Sequence, residues 1–491
     1  MLEALERHAA EHPEHIALIS NHASFTYKKL LDAVTSLSCE LQRSGAQVLA
    51  LAADNSPAWA VADLACIKAN IPLIPIPHFF SSAQVGHLLH QAGVDAIMTD
   101  RLDSMSDLLQ CLSVQQQPAL QLSELYLLAV DTKRAEFPEG TAKITFTSGS
   151  TGEPKGVCLN LSAMETVAAS LADATGAMPS DRHLSLLPYA TLLENIGGLY
   201  APLLAGAAIV VPGMVAVGMS GASGLDIERF VSALHASKAT TCIMIPQMLH
   251  ALIAALEQGL PKPERLRYIA VGGAPVSACL LERSEALGLP VYEGYGLSEA
   301  ASVVAVNCEG DCRSGSVGKP LPHVDLKFAE DGEILVRGAL FSAYLGETAS
   351  FVDHYWPTGD IGYLDDDGFL FLSGRKKHIF ITAFGRNVSP EWVERELSIE
   401  PAIAQCCVFG EARPFNVAVI VPSQAADADM VSRAVDAANT RLPDYAMVSE
   451  WVVADEPFSV ENAFWTGTGR PRRQFIFDTY ADKINQYYKE N

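Results

Sequence analysis

The sequence has few positive charges, no paired cysteine motif and no uninterrupted long hydrophobic segment, and each shortage excludes a class of protein. Its 491 residues include 34 Lys and Arg against 57 Asp and Glu, a formal net charge of −23. Nonspecific nucleic-acid binding draws on clustered Lys and Arg, so no nucleic-acid partner is expected. None of the ten cysteines forms a CxxC pair, and only Cys308 and Cys312 approach a metal-ligand spacing. A structural zinc site needs four ligands, so free cysteines in a reducing cytosol are predicted.

The sequence also lacks clear signals for export or membrane insertion. Residues 1–15 are charged and polar, which argues against a signal peptide. Residues 196–225 contain no charged side chain and are long enough for a membrane span. Glycines and prolines interrupt this stretch repeatedly, so it is predicted to form a buried strand-turn-helix segment. We therefore expect a cytoplasmic protein with no integral membrane segment.

What is present is a repeated pattern of short apolar runs, each followed by a helical pattern. Residues 48–52 precede a helical stretch at 58–70, and residues 240–245 precede another at 247–257. Strands that alternate with helices indicate mainly parallel sheets covered by helices. After about residue 320 tight-turn signals such as Asp331-Gly332 predict a small β-rich unit. From residue 379 a separate α+β segment is expected.

The strongest local signal is residues 147–156, which read Thr-Ser-Gly-Ser-Thr-Gly-Glu-Pro-Lys-Gly. A β-type run leads into a loop with four hydroxyls, three glycines and Lys155. Such a loop can wrap phosphates, because glycines allow close backbone approach while hydroxyls and a lysine interact with the anion. It is not a Walker A loop, which requires GxxxxGK[ST] at the start of a helix.

Together with four further motifs, this loop resembles that of the adenylate-forming superfamily, which includes acyl-CoA synthetases, firefly luciferase and the adenylation domains of peptide synthetases. The family signature [ST]SG[ST]TGxPKG is matched at every position. The other matching segments are, in chain order, VGGAPV at 271–276, YEGYGLSE at 292–299, TGD at 358–360 and GR at 374–375. The sequence of residues 384–394 most resembles that of long-chain fatty acyl-CoA synthetases.

The resemblance implies an α/β fold with a large N-terminal domain of two α/β subdomains plus a small β-barrel-like subdomain. A smaller α+β C-terminal domain follows. The implied boundaries are residues 1–374 for the adenylation domain, which binds ATP and the acyl group, 375–378 for a hinge and 379–491 for a mobile C-terminal domain.

The implied reaction is ATP-dependent activation of a carboxylic acid to acyl-AMP with release of pyrophosphate. The resemblance of residues 384–394 implies that the acid is a fatty acid. The acyl group then passes to a thiol. ATP, Mg²⁺ and CoA are the implied small molecules, and the phosphopantetheine of an acyl carrier protein is the alternative acceptor.

The resemblance also implies roles for individual residues. Ser150 and Glu299 would hold Mg²⁺, a hard cation that prefers oxygen ligands. Asp360 would accept both ribose hydroxyls. Tyr295 would stack near adenine, and Arg375 would reach the ribose or a phosphate.

The remaining site residues fall into three sets. Those expected to contact ATP are Thr147, Ser148, Gly149, Thr151, Gly152, Gly273, Ala274, Pro275, Glu293, Gly294, Gly296 and Ser298. Those expected to be catalytic with Glu299 are Lys155, Lys377 at the hinge, and Arg470. Those expected at the substrate pocket are Tyr189 and Thr191.

The chain departs from the family pattern at the catalytic lysine, whose place is taken by Arg470. No lysine occurs between Lys377 and Lys483 that could substitute. Arginine keeps the positive charge, but its planar fork differs from a compact ammonium. Two hypotheses follow: Arg470 supports adenylation at a reduced rate, or the chain is a catalytically weakened nucleotide- or acyl-binding homologue.

Two smaller features leave alternatives open. Thr191 stands where long-chain synthetases carry a histidine, which indicates either an altered entrance to the acyl pocket or drift at a tolerant position. Arg470, Arg472 and Arg473 form a basic cluster in the sequence. That cluster could meet a CoA phosphate or the acidic face of a carrier protein, or it could be solvated with no partner.

Overall fold

The computed structural model describes residues 1–21, 23–112, 114, 120–122, 124–147, 154–220, 224–274, 276–347, 354–424, 426–460, 462–465 and 470–490. The α-helices in these ranges are α1 (Leu2–Glu11), α2 (Tyr27–Ser44), α3 (Pro57–Ala69), α4 (Ser82–Gln91), α5 (Leu102–Cys111), α6 (Leu161–Ala174), α7 (Leu192–Glu194), α8 (Ala201–Ala205), α9 (Ile227–Ser237), α10 (Pro246–Glu257), α11 (Ala278–Ala286), α12 (Pro390–Leu397), α13 (Ala428–Asn439) and α14 (Arg473–Glu490). A π-helical turn spans Asn195–Tyr200, and 3₁₀ turns span Met214–Val217, Ser298–Ala300 and Asp444–Ala446.

The strands follow the same chain order. Those before residue 200 are β1 (Ile16–Ile19), β2 (Ser24–Thr26), β3 (Leu49–Ala52), β4 (Leu73–Pro75), β5 (Ala96–Thr99), β6 (Leu120–Leu122), β7 (Leu125–Ala129), β8 (Thr141–Thr147), β9 (Lys155–Asn160) and β10 (Arg182–Leu184). Those between residues 200 and 345 are β11 (Ala208–Val210), β12 (Met219–Ser220), β13 (Gly224–Leu225), β14 (Thr241–Met244), β15 (Tyr268–Val271), β16 (Val291–Tyr295), β17 (Ala305–Val306), β18 (Lys319–Pro320), β19 (Asp325–Phe328), β20 (Glu333–Arg337) and β21 (Ala343–Tyr344). The remainder are β22 (Trp356–Leu364), β23 (Leu370–Arg375), β24 (Phe380–Ile381), β25 (Asn387–Val388), β26 (Ile403–Phe409), β27 (Asn416–Pro422) and β28 (Val448–Val453).

Two large sheets have parallel centres and antiparallel edges. In sheet A the described strands run in the order β18-β17-β16-β15-β14-β10-β11-β1-β2, and β1, β11, β10, β14, β15 and β16 pair in parallel. In sheet B the order is β21-β9-β8-β4-β3-β5-β7-β6, and β8, β4, β3 and β5 pair in parallel. The predicted α/β class with mainly parallel sheets is confirmed.

Helices fill the space between the two sheets and cover their outer faces. One core cluster joins Leu18 of sheet A, Leu51 of sheet B and the side chains of α2, α3 and α6 that lie between them. A second cluster joins sheet A to α9, α10 and α11, and a third joins sheet B to α4 and α5. Each parallel sheet is therefore buried on both faces, as strands made mostly of apolar residues require.

Helix α3 shows how local sequence and burial agree in this middle layer. Ser56 caps its N-terminus by accepting a hydrogen bond from the Trp59 amide at 3.2 Å, and Pro57 follows at the first helical position. Both choices favour a helix start. The helix ends at Asn70, which adopts a left-handed conformation with φ 56°. Residues on every side of the helix are buried, because it lies between two sheets.

The rest of the chain forms smaller units. Sheet C has the antiparallel order β19-β20-β22-β23, and the hairpin predicted at Asp331-Gly332 joins β19 to β20. After β23 ends at Arg375, β24 and β25 pair, and β26, β27 and β28 form a further sheet packed by α12, α13 and α14. The predicted domain and hinge boundaries agree in position with these breaks but stay a prediction.

The uncharged stretch 196–225 folds in a different order from the predicted strand-turn-helix. The π-helical turn and α8 come first and end at Gly206, whose φ of 77° favours glycine. Strand β11, with the β-branched Ile209 and Val210, follows. Across the described residues, no helix is both long and apolar enough to cross a membrane.

Candidate active site

A large cleft opens where the parallel strands of sheet A end. β14, β15 and β16 lead into Ile245, Gly272 and the residues after Tyr295, and all of these line the cleft. Ligands of open parallel sheets bind at this carboxyl edge. The cleft and its extensions enclose about 3040 Å³, and residues from 376 onward line part of it.

Asp360 on β22 is the centre of a buried polar group in this cleft. Its Oδ1 lies 2.7 Å from Arg375 Nε, and its Oδ2 accepts a 2.7 Å hydrogen bond from the Tyr295 hydroxyl. The register of sheet C places Asp360 directly opposite Arg375. Burial raises the pKa of Asp360, although Arg375 and Tyr295 oppose this shift. Burial also raises the pKa of Tyr295, and the Asp360 charge adds to the effect.

The hairpin β8–β9 brackets the predicted phosphate loop. Thr147 and Lys155 are register partners at its neck, so the loop leaves and returns to the sheet at one point. The predicted residues Ser148, Gly149, Ser150, Thr151 and Gly152 lie outside the described residues, as does Pro275.

Glu299 lies beside this neck on the 3₁₀ turn Ser298–Ala300. Its Oε1 accepts a hydrogen bond from the hydroxyl of Tyr344 at 2.7 Å. Lys155 Nζ lies 5.0 Å from the centroid of the same Tyr344 ring. The sequence pattern did not single out Tyr344, because no matched motif contains it and its partners are 45 and 189 positions away.

The segments predicted to contact adenine contain glycines that their own backbone conformation and packing require. Gly273 has φ 83°, which favours glycine. A Cβ on Gly296 would lie 1.6 Å from the carbonyl oxygen of Ser302, so only glycine fits there. Glu293, Gly294, Ala274 and Ser298 line the same part of the cleft.

Glu293 is the most perturbed carboxyl of this group. Burial raises its pKa to about 7, even though the Val276 amide donates a hydrogen bond to its Oε1 at 3.2 Å. The charge of Arg395, from the C-terminal part of the chain, acts in the opposite direction. Glu293 thus lies where the two parts of the chain approach each other.

Arg470 reaches this group from the C-terminal part of the chain. Its Nη2 donates a hydrogen bond to the Gly273 carbonyl at 3.4 Å. Protein atoms around it and the charge of Arg375 lower the pKa of Arg470, while Asp360 acts in the opposite direction. Partial burial, Arg375 and Arg470 likewise lower the pKa of Lys377. The structure therefore brings Arg470, Lys377, Arg375 and Asp360 into one electrostatic group.

The prediction of a basic cluster of three arginines is wrong for Arg473. Its guanidinium forms ion pairs with Glu394 and, at 3.5 Å, with Glu391. Arg473 and both glutamates are largely buried, so this arginine stabilises the C-terminal part rather than presenting charge. Glu391 also forms a hydrogen bond with His378, and this hydrogen bond together with the charge of Arg473 lowers the pKa of Glu391 to about 2 against the effect of burial.

The two predicted substrate-pocket residues lie in different places. Thr191 lines the cleft, whereas Tyr189 is completely buried with its ring 5.1 Å from that of Trp59. The Tyr189 amide donates to Asn55 Oδ1 at 2.8 Å, and Asn55 Nδ2 donates to the Leu187 carbonyl at 2.8 Å. Tyr189 therefore helps to fix the turn that carries Thr191 without lining the cleft.

An apolar extension of the cleft continues from Thr191 along one face of sheet A. Its lining passes from the apolar Leu187, Ile245 and Ile243 near the carboxyl edge to the polar His183 and Thr175 further along. Gly197 of the π-helical turn also lines it. An extension of this shape can accommodate an apolar tail beyond a carboxylate held near Thr191.

Comparison with known protein families identifies the family to which the chain belongs. Residues 5–345 match the AMP-binding enzyme family, and residues 377–491 match the AMP-binding enzyme C-terminal domain. The chain belongs to the AMP-binding enzyme family.

Similar AMP-binding enzymes include the long-chain-fatty-acid–CoA ligase of Mycobacterium bovis, 27% identical over 531 residues that cover 88% of this chain and 86% of the relative. They also include the 2-succinylbenzoate–CoA ligase of Bacillus pumilus, 29% identical over 420 residues that cover 81% of this chain and 82% of the relative. Among solved structures, o-succinylbenzoate CoA synthetase of Bacillus subtilis in complex with the acyl-adenylate OSB-AMP has a TM-score of 0.77 at 24% identity, covering 96% of this chain and 97% of that one. Adenylate-forming acid–CoA ligase chemistry is the activity that this membership supports.

Proposed function

We propose that this chain activates an apolar carboxylic acid with ATP and transfers the acyl group to the thiol of CoA. The observation that carries the proposal is the meeting of Arg470 with the group around Asp360 at the mouth of one cleft. A cation from the C-terminal part thus lies beside the residues expected to hold the nucleotide, and an apolar extension begins at Thr191.

The residues around Asp360 fit the nucleoside of ATP. Asp360 offers two carboxylate oxygens to the ribose hydroxyls, and Arg375 and Tyr295 already fix its orientation. Gly273, which lines the cleft, has no side chain that would block a flat base from the backbone. Arg470 and Lys377 add positive charge where the phosphates would lie.

The residues around Glu299 fit a magnesium ion. Glu299 offers a carboxylate beside the loop neck. This agrees with Mg²⁺, which is usually bound by one or two carboxylates together with waters and substrate phosphates. When bound, the ion would neutralise negative charge on the phosphate oxygens. We propose Ser150 as a second protein ligand.

In the first step a carboxylate oxygen of the acid attacks the α-phosphorus of ATP, and pyrophosphate leaves. The chain positions the two reactants and offsets the charge that develops on the phosphate oxygens. Lys155, Arg470 and the loop residues are the groups proposed for this role. In the second step the CoA sulfur attacks the carbonyl carbon of the acyl-adenylate and AMP leaves. The hinge at 375–378 is proposed to let the C-terminal part reorient between the steps.

The apolar residues that line the extension near Thr191, such as Leu187, Ile243 and Ile245, favour a fatty acid. The relatives named above are named for both kinds of acid, a long-chain fatty acid and 2-succinylbenzoate. The phosphopantetheine of an acyl carrier protein is the alternative acceptor, and loading it would use the same first step. A weakened nucleotide- or acyl-binding homologue is the alternative from a different class.

The test is ATP–pyrophosphate exchange with a panel of fatty and aromatic acids, followed by thioester formation. We expect exchange with medium- or long-chain fatty acids, and thioester formed on CoA faster than on a purified carrier protein. Exchange with aromatic acids alone would contradict the fatty-acid proposal. ATP binding without exchange for any acid would contradict the enzymatic proposal and favour the binding homologue.

A further inference from the structure

Tyr344 joins the phosphate-loop neck to Glu299. Its hydroxyl donates to Glu299 Oε1 at 2.7 Å, and its ring lies under Lys155 Nζ at 5.0 Å from the centroid. The two residues that it contacts belong to different elements, β9 and the 3₁₀ turn Ser298–Ala300. A single side chain therefore sets the spacing between the proposed magnesium carboxylate and the proposed phosphate-binding lysine.

The backbone around Tyr344 fixes this side chain to the same two elements. Strand β21 pairs with β9, with Tyr344 opposite Val157, and the Leu345 amide donates to the Gly156 carbonyl at 2.7 Å. The Phe341 amide donates to the Glu299 carbonyl, also at 2.7 Å. The segment from 341 to 345 thus holds both the end of the loop and the turn that carries Glu299.

Aromatic packing limits the freedom of the Tyr344 ring. The rings of Phe341 and Trp356 lie 4.9 Å and 5.9 Å from it in edge-to-face arrangements. A ring held in this way presents its hydroxyl in one direction and its face in another. The hydroxyl is thus preorganised towards Glu299, and the face towards Lys155.

We infer that Tyr344 is a positioning residue for the nucleotide–magnesium site. Its hydroxyl occupies one lone pair of Glu299 Oε1 and fixes the carboxylate rotamer, so that the remaining lone pairs face the metal. Its ring holds the Lys155 ammonium by a cation–π contact near the loop neck. This inference rests on the proposed function, because it assigns Glu299 and Lys155 to the Mg-ATP site.

The hydroxyl and the ring make separable contributions, so two variants test the inference. Tyr344→Phe removes the hydrogen bond to Glu299 and keeps the ring under Lys155. Tyr344→Leu removes both contacts. We expect Tyr344→Phe to weaken equilibrium binding of ATP about tenfold in magnesium chloride, a difference of about 1.4 kcal/mol. Binding of ATP in EDTA should not change in Tyr344→Phe, whereas Tyr344→Leu should weaken it as well.

Calorimetric titration of the full chain with ATP measures these affinities without any turnover. Tyr27→Phe is the matched control, since its buried hydroxyl donates to the Ala207 carbonyl at 2.9 Å and Tyr27 itself does not line the cleft. A Glu299→Gln background adds a double-mutant cycle, in which Tyr344→Phe should have no further effect on the magnesium-dependent affinity.

Three results would overturn the inference. The first is Mg-ATP affinity in Tyr344→Phe equal to that of the unmodified chain. The second is an equal loss in magnesium and in EDTA, which would indicate general damage to the cleft. The third is a full effect of Tyr344→Phe in the Glu299→Gln background. Absence of Mg-ATP binding by the unmodified chain would instead overturn the proposed function, and this inference with it.

Discussion

Arg470 differs from the lysine of the family pattern in shape rather than in charge. Its guanidinium presents several donors in a plane, and one of them contacts the Gly273 carbonyl at 3.4 Å. The charges of Asp360, Glu391 and Glu299 all act on it. A guanidinium at this position can still meet a carboxylate and a phosphate together, because its planar donors suit both anions. Arg470 is therefore proposed to support adenylation.

Two substitutions of Arg470 separate this proposal from the weakened homologue. Arg470→Ala should lower the rate of ATP–pyrophosphate exchange about 100-fold or more, because a donor to the developing charge is lost. Arg470→Lys should keep the exchange rate within about tenfold, since the positive charge remains. Exchange kinetics with a fatty acid measure both, and Arg433→Ala, an exposed arginine on α13, is the control. A large gain in exchange rate in Arg470→Lys would show that the arginine limits the reaction. An unchanged exchange rate in Arg470→Ala would show that the arginine does not serve the reaction.

Strand β8 is joined to helix α3 by a buried ion pair, and hydrogen bonds join the same pair to the π-helical turn. Lys143, with 1% of its side chain exposed, lies 2.8 Å from Asp63 Oδ1 on α3. Asp63 Oδ2 accepts hydrogen bonds from Asn195 at 2.9 Å and from Tyr200 at 2.8 Å. The strand that carries Thr147 and the turn that follows Thr191 are thus held together by one polar network inside the core.

Removal of the lysine should destabilise the fold strongly. Lys143→Met leaves the Asp63 carboxylate buried without its cation, which costs about 3–5 kcal/mol in comparable sites. Equilibrium urea unfolding should show this loss, and Lys143→Met with Asp63→Asn should recover part of it because the unpaired charge is gone. Lys68→Met is the control, since the exposed pair with Glu6 is worth at most about 1 kcal/mol. A loss of unfolding free energy in Lys143→Met as small as that in the control would contradict the argument.

These elements also show what the sequence could and could not predict. The segments with Tyr295 and with Asp360 could be predicted to contact the nucleotide, because each is a short motif of contiguous residues. Contacts between distant elements were not predicted. Lys143 reads as one polar residue in a strand, and its partner Asp63 lies 80 positions away in the middle of an apolar helix. The contacts of Tyr344 and the ion pairs of Arg473 could not be predicted for the same reason.

At the scale of the whole molecule, the apolar extension uses the layered architecture. It runs along the face of sheet A that packs towards α6, the π-helical turn and α8. Its lining is apolar near Thr191 and becomes polar at the far end, where Asp181 and Arg267 precede the strands and form an ion pair. Two small residues of the helical layer, Gly197 and Ala201, line this space. The π-helical turn that supplies Gly197 is a rare local geometry that often marks functional sites.

Gly197 should therefore set the length of acid that the cleft accepts. A Cβ at this position would lie 2.9 Å from Ile243 Cδ1 and 3.9 Å from Leu171 Cδ1, so a larger side chain would displace Ile243, which also lines the extension. Gly197→Val should lower kcat/KM for long-chain acids by at least about tenfold, and should change kcat/KM for short-chain acids little, because only the longer tails must pass this point. Thioester formation across a series of chain lengths measures the shift. Ala205→Val is the control, because Ala205 lies on the adjoining helix α8 and does not line the extension. An equal loss for all chain lengths would show that the substitution disturbs the turn as a whole, and would place the acyl tail elsewhere in the cleft.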